Sequence, residues 1–106
     1  MSTVSAEAAE TETQNNYKLP TGTTLQHCAK LAIVEDKPIM FDYWTPSLDK
    51  EVLIGVRDND EKLLVKSEEE YTSPISKIYK VESEYIIITE NSIYVVSADI
   101  PTKRVS

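Results

Sequence analysis

Residues 84–97 read Glu84-Tyr85-Ile86-Ile87-Ile88-Thr89-Glu90-Asn91-Ser92-Ile93-Tyr94-Val95-Val96-Ser97, and this stretch decides the fold. Two β-branched runs flank Glu90-Asn91, where Asn tolerates the positive φ that a tight reversal needs. Folding Glu84–Thr89 back onto Ser92–Ser97 puts Ile86, Ile88, Ile93 and Val95 on one face. Tyr85, Ile87, Tyr94 and Val96 then share the other. A hairpin apolar on both faces is either a central pair of a sheet or one covered by something else.

Outward from this hairpin the same period continues. Lys77–Val81 runs into Glu84–Thr89 across Glu82-Ser83. Upstream, Val52–Arg57 and Lys62–Lys66 flank the polar cluster Asp58-Asn59-Asp60-Glu61. Pairing Val56 with Leu63 and Ile54 with Val65 gathers the apolar residues on one side. Gly55 lies inside a strand, where glycine marks a bulge or a close approach. Another strand is expected over Ile39–Trp44, after the turn Glu35-Asp36-Lys37-Pro38 and stopped by Thr45-Pro46-Ser47. Ser67–Ser76 reads as a loop.

Residues 23–34 carry two signals. Thr23-x-x-Gln26 fits a capping box, and Leu25, Cys28, Ala29 and Ala32 follow at helical spacing. Leu31-Ala32-Ile33-Val34 ends in β-branched residues that favour a strand. The reading is a short helical turn near residues 23–30 feeding a strand. The fold class is therefore mainly β: a small antiparallel meander of five or six strands, as a sandwich or half-barrel.

Residues 1–22 form an acidic tail of low hydrophobicity, expected to be disordered. The domain runs over 23–101, and residues 102–106 are expected to fray. The chain has 106 residues, enough for one domain.

Charge and cysteine content narrow the function. There are 18 acidic against 11 basic residues, a net of −7. Three acids (Glu7, Glu10, Glu12) precede the first base, leaving 15 against 11 in the rest, a net of −4. The basic residues are scattered, with no run longer than Lys103-Arg104, so duplex nucleic acid and anionic membranes are not expected partners. One cysteine, no basic-apolar leader and no long apolar run point to an intracellular soluble protein, cytoplasmic or nuclear.

Candidate chemistry is sparse. His27 and Cys28, the only residues of their kind, are adjacent and point in different directions, so neither a zinc set nor a Cys–His pair is expected. With two glycines in the chain, Gly22 and Gly55, there is no phosphate-cradling loop. Asp42, Asp49, Asp58 and Asp60 are the carboxylates left for acid–base work, and Asp58 and Asp60 read as turn residues; the 58–61 turn lacks the glycine and distal glutamate of a calcium loop. No catalytic, cofactor-binding or metal-ligating residues, no cofactor and no small-molecule substrate are expected. Ser67-Glu68-Glu69-Glu70 has the form of an acidophilic kinase site, Val65-Lys66-Ser67-Glu68 that of a ubiquitin-like modifier site, and Thr45-Pro46 and Ser73-Pro74 that of proline-directed sites. All four are short and common by chance.

The aromatic residues carry the functional expectation. Tyr and Trp anchor interfaces because they are half apolar and half wet. Trp44, Tyr85, Ile87, Tyr94 and Val96 are the candidate interaction residues, on a sheet face that a partner or a second copy would cover. The expected function is a non-catalytic protein–protein interaction or structural module. The alternative is an acidic inhibitor or nucleic-acid mimic, with Glu68–Glu70, Asp58, Asp60 and Glu61 occupying a basic groove on a target.

Overall fold

The computed structural model describes residues 18–105. Residues 1–17 of the tail expected over residues 1–22, and Ser106, lie outside them. Among the described residues there are two helices and seven strands. In chain order these are α1 (Gly22–Glu35), β1 (Ile39–Met40), α2 (Trp44–Leu48), β2 (Leu53–Val56), β3 (Lys62–Val65), β4 (Ile75–Val81), β5 (Glu84–Thr89), β6 (Ile93–Ser97) and β7 (Thr102–Arg104). One sheet has the order β1-β6-β5-β4 and the other β3-β2-β7.

The mainly β class stands, but the sheets are mixed rather than purely antiparallel. β1 joins β6 in parallel, and β7 joins β2 in parallel. The antiparallel meander is β4-β5-β6, with Ile86 opposite Val95 and Ile88 opposite Ile93, the register read from the sequence. Each face of β5–β6 is buried in its own cluster. Ile86, Ile88, Ile93 and Val95 pack with Cys28 and Trp44 on the helix side. Ile87 and Val96 pack with Tyr43, Val52, Ile54, Leu64 and Ile100 between the two sheets. The order is therefore helices, four-stranded sheet, three-stranded sheet.

Three local expectations are corrected. First, residues 22–35 form one helix, not a turn feeding a strand. Thr21 is its N-cap and Asp36, in the left-handed region at φ 56°, its C-cap. The side-chain preference of Ile33 and Val34 amounts to a few tenths of a kcal/mol each. It loses to the docking of Thr24, Cys28, Leu31 and Ala32, which lie at i, i+4, i+7, i+8. Second, the strand expected over Ile39–Trp44 stops at Met40. Pro46 does not end a strand; it occupies the first turn of α2, where its missing N–H costs no helical bond. Tyr43 and Trp44 thereby enter the clusters on opposite sides of the four-stranded sheet.

Third, Thr102–Arg104 do not fray. Ile54 N–H donates to Pro101 O (2.9 Å) and Val105 N–H to Val56 O (2.8 Å), flanking the β7 ladder. At the other end, residues 18–22 of the expected tail are placed: Trp44 Nε1 donates to Lys18 O at 2.7 Å.

One polar group ties helix to sheet. Glu84, only 1% exposed, presents Oε1 to Thr21 N–H (3.2 Å), Thr21 Oγ1 (3.1 Å) and Thr24 Oγ1 at the start of α1. A carboxyl at a helix N-terminus meets unpaired N–H groups and the positive end of the macrodipole. Its Oε2 is buried without a hydrogen-bond partner.

Candidate interaction surface

Four of the five candidate interaction residues lie on one face, as read: Tyr85, Ile87, Tyr94 and Val96 are on the β5–β6 face toward the second sheet. Ile87 and Val96 are fully buried there, and Tyr85 and Tyr94 are partly buried beside them. Tyr94 meets Tyr43 edge-to-face, with ring centroids 5.2 Å apart. Trp44 is not brought to this face. It is buried on the helix side, against Cys28 and the isoleucines. The second apolar face of the hairpin is thus covered from within the chain, by Val52, Ile54, Leu64 and Ile100.

The middle hairpin explains where an uncovered apolar face does arise. Its register differs by one residue from the expected one: Val56 opposes Lys62, Gly55 Leu63, Ile54 Leu64 and Leu53 Val65. The cause is the loop. Asp60 takes φ 65°, Asp60 N–H donates to Arg57 O (2.9 Å) and Arg57 N–H to Glu61 O (2.8 Å). This is a three-residue loop closed by a left-handed residue, one residue shorter than assumed. A one-residue slip exchanges the faces. Ile54 and Leu64 go into the core, while Leu53 and Val65, both half-buried, face the other way with Gly55 and with Leu63, which is itself only 3% exposed.

On that outer face lies an open groove of about 620 Å³. Leu53, Leu63, Val65 and Val105 supply its aliphatic surface, and Arg57, Lys66, Ser67, Glu68 and Tyr71 complete it. Tyr71 is half exposed (51%) and carries the Arg57 guanidinium 5.9 Å from its ring centroid. Tyr71 is held in place because it bridges Val65, and the next residue, Thr72, donates its N–H to Leu64 O at 2.9 Å. Arg57 also meets Glu61 at 3.6 Å, and Lys66 meets Glu70 at 3.1 Å. Gly55 is needed here: a Cβ on it would stand 2.8 Å from Val105 Cγ2 and 3.0 Å from Val65 Cγ2. Val105 can lie this close to the sheet because position 55 carries no side chain.

Sequence reading missed this groove, although a signal was present. Leu53-Ile54 and Leu63-Leu64-Val65 are apolar on both faces, like β5–β6.

The other candidate residues are dispersed. His27 is exposed on α1 while Cys28 is fully buried, and burial pushes the Cys28 thiol pKa up. Asp42, Asp49, Asp58 and Asp60 are exposed, and Asp58 lies 3.6 Å from Arg104. Among the described residues no three His, Cys, Asp or Glu side chains are grouped to hold a metal ion. Tyr43 is pushed up to about 12 by burial first, then by Glu70, Tyr94 and Asp42; Tyr94 is also raised, chiefly by burial. Ser67 is exposed in the turn after β3, its hydroxyl accepting from Glu69 N–H at 3.2 Å. Among the described residues no helix is long and apolar enough to cross a membrane. Comparison with protein-family models, with curated proteins and with solved structures finds no match to this chain.

Proposed function

We propose that this chain is a non-catalytic protein-interaction module whose docking surface is the outer groove of the three-stranded sheet. The observation that carries the reading is an aliphatic strip left on the solvent side of a sheet whose other side is already buried. An antiparallel pair of this kind ordinarily turns polar residues outward. Its occupant would be an extended aliphatic segment of a partner protein, laid along Leu53 and Val65, with Tyr71 as the aromatic anchor. Arg57 beside the ring offers donors to a partner carbonyl or carboxylate.

The test is capture from source extract with wild type beside Tyr71→Ala and Val65→Ser. Truncating a true aromatic anchor costs on the order of 2 kcal/mol of binding. A partner held through high salt by wild type and lost with Tyr71→Ala supports the groove; equal capture by all three removes it. The Trp44 and Tyr94 positions are unsuited to this test, because truncation there would cut into packed clusters.

The acidic-mimic reading ranks second. Asp58, Glu61 and Glu70 already have basic partners within the chain, at 3.6, 3.6 and 3.1 Å. That leaves a thinner acidic surface than the sequence count suggests. A partner released by modest salt, and indifferent to Tyr71→Ala, would favour it.

A further inference from the structure

Four modification motifs stand in the sequence, and the fold closes three of them. Thr45 is fixed in the first turn of α2. Ser73 is half-buried, and its hydroxyl accepts from Asn91 Nδ2 at 2.8 Å. The Lys66 ammonium is held between Glu70 Oε2, at 3.1 Å, and the Tyr43 ring, 4.6 Å from its centroid. Ser67 is different. It is exposed, and so are Glu68, Glu69 and Glu70 after it. Its hydroxyl accepts from Glu69 N–H at 3.2 Å and donates to no partner among the described residues. The turn is closed by Ser67 N–H to Glu70 O (3.1 Å) and Glu70 N–H to Ser67 O (3.3 Å). Water replaces such exposed bonds when a turn opens, so this segment can be drawn out without unfolding either sheet.

The place of Ser67 gives its modification a consequence. The residue lines the groove of the three-stranded sheet, beside Leu53, Val65 and Arg57. We propose that Ser67 is a phosphoacceptor for an acidophilic serine kinase, and that its phosphate closes the groove to the partner. This rests on the groove being the docking surface. Ser67 Oγ attacks the γ-phosphorus of ATP. The Oγ–P bond forms as the bond from that phosphorus to the β,γ-bridging oxygen breaks; ADP leaves, and the hydroxyl proton passes to a base of the kinase. Glu68, Glu69 and Glu70 supply the acidic recognition, Glu70 standing three residues after the acceptor.

Charge sets the direction of the effect. A phosphoserine carries about −1.5 to −2 charge at pH 7. Two cations line the groove, and both are already paired: Arg57 with Glu61 at 3.6 Å and Lys66 with Glu70 at 3.1 Å. Glu68 lines it too. The added charge therefore meets a neighbouring carboxylate and no unpaired cation. An aliphatic segment laid over it would have to strip water from the phosphate, and a carboxylate directed at Arg57 would be repelled. Binding is expected to weaken about tenfold or more.

The full chain is incubated with an acidophilic serine kinase and magnesium ATP, then weighed intact and mapped by peptide fragmentation, with Trp44 emission as the check on folding. The expected result is one phosphate, on Ser67, and none on Ser67→Ala. The phosphorylated chain is then set beside untreated wild type, Tyr71→Ala and kinase-treated Ser67→Ala in capture from source extract. A partner that needs Tyr71 should be lost on phosphorylation and kept by kinase-treated Ser67→Ala. Loss with Tyr71→Ala but full capture by the phosphorylated chain overturns the switch and leaves the groove standing. No partner, or one indifferent to Tyr71→Ala, removes the groove and the switch with it. Phosphate on another residue, or none at all, overturns the inference whatever is captured.

Discussion

Replacing Glu84 by alanine tests how α1 is held to the sheet. The carboxyl is buried, and its Oε1 receives three hydrogen bonds from the N-terminal turn of α1, 60 to 63 residues away in sequence. After truncation the Thr24 hydroxyl can turn to Val81 O, 3.5 Å away, and the Thr21 hydroxyl to Thr24 at 3.0 Å. Thr21 N–H has no such substitute. One stranded buried donor costs about 1–3 kcal/mol, and each lost net hydrogen bond about 0.5–1.5 kcal/mol. Removing the buried side-chain atoms adds a cavity term. Together these amount to about 3–4 kcal/mol, a large share of the stability of a domain this size, which is on the order of 5–10 kcal/mol. Glu84→Gln keeps an acceptor at Oε1 and is expected to cost about 1 kcal/mol. The assay is urea unfolding followed by Trp44 emission, since the single indole is only 4% exposed and reports its own cluster. A Glu84→Ala loss below 1 kcal/mol, or equal losses for alanine and glutamine, would refute the tether.

Four other outcomes are expected. Gly55→Ala forces Val105 and Val65 apart; losing the Val105–Val56 bond and its packing should cost about 1–2 kcal/mol, with faster amide exchange at Val105 as the check. Ser47→Ala removes a buried hydroxyl that accepts from Ser97 N–H at 2.9 Å; the stranded donor should cost about 1–3 kcal/mol, measured by the urea midpoint. Cys28, buried and with its thiol pKa raised, should resist a thiol reagent in the native state and react on unfolding; rapid native labelling would contradict that packing. Finally, Tyr43 has its folded pKa raised to about 12, above an unfolded value near 10. The stability this contributes is fully present below pH ~10 and is lost as pH rises through about 12. Phenolate absorbance tracked alongside Trp44 emission should show unfolding and the late tyrosine titration together.

The sequence made the β5–β6 hairpin legible because one register satisfied both of its faces at once. The middle hairpin misled by one residue because its left-handed position is Asp60, which advertises itself less than a glycine would. The extent of α1 was hidden by Ile33 and Val34, whose β preference is real but small, and which the fold leaves 82% and 77% exposed. β7 carries no pattern at all: Thr102, Lys103 and Arg104 are exposed and polar, and the strand exists through backbone bonds that no side chain announces. For the surface, elimination of ready chemistry could be argued from residue types. The place of the uncovered apolar strip could not, because it followed from a loop length.

The two parallel additions also order the folding of the chain in time. The β4-β5-β6 meander spans residues 75–97 and is built from neighbours in sequence, so its loops close early and cheaply. β1 must find β6 across 54 residues, from Ile39 to Ile93, and β7 must return across 48 to β2, from Ile54 to Thr102. Changes within the meander should therefore slow refolding. Changes in β1 or β7, which dock after the meander, should instead hasten unfolding and leave the refolding rate nearly untouched.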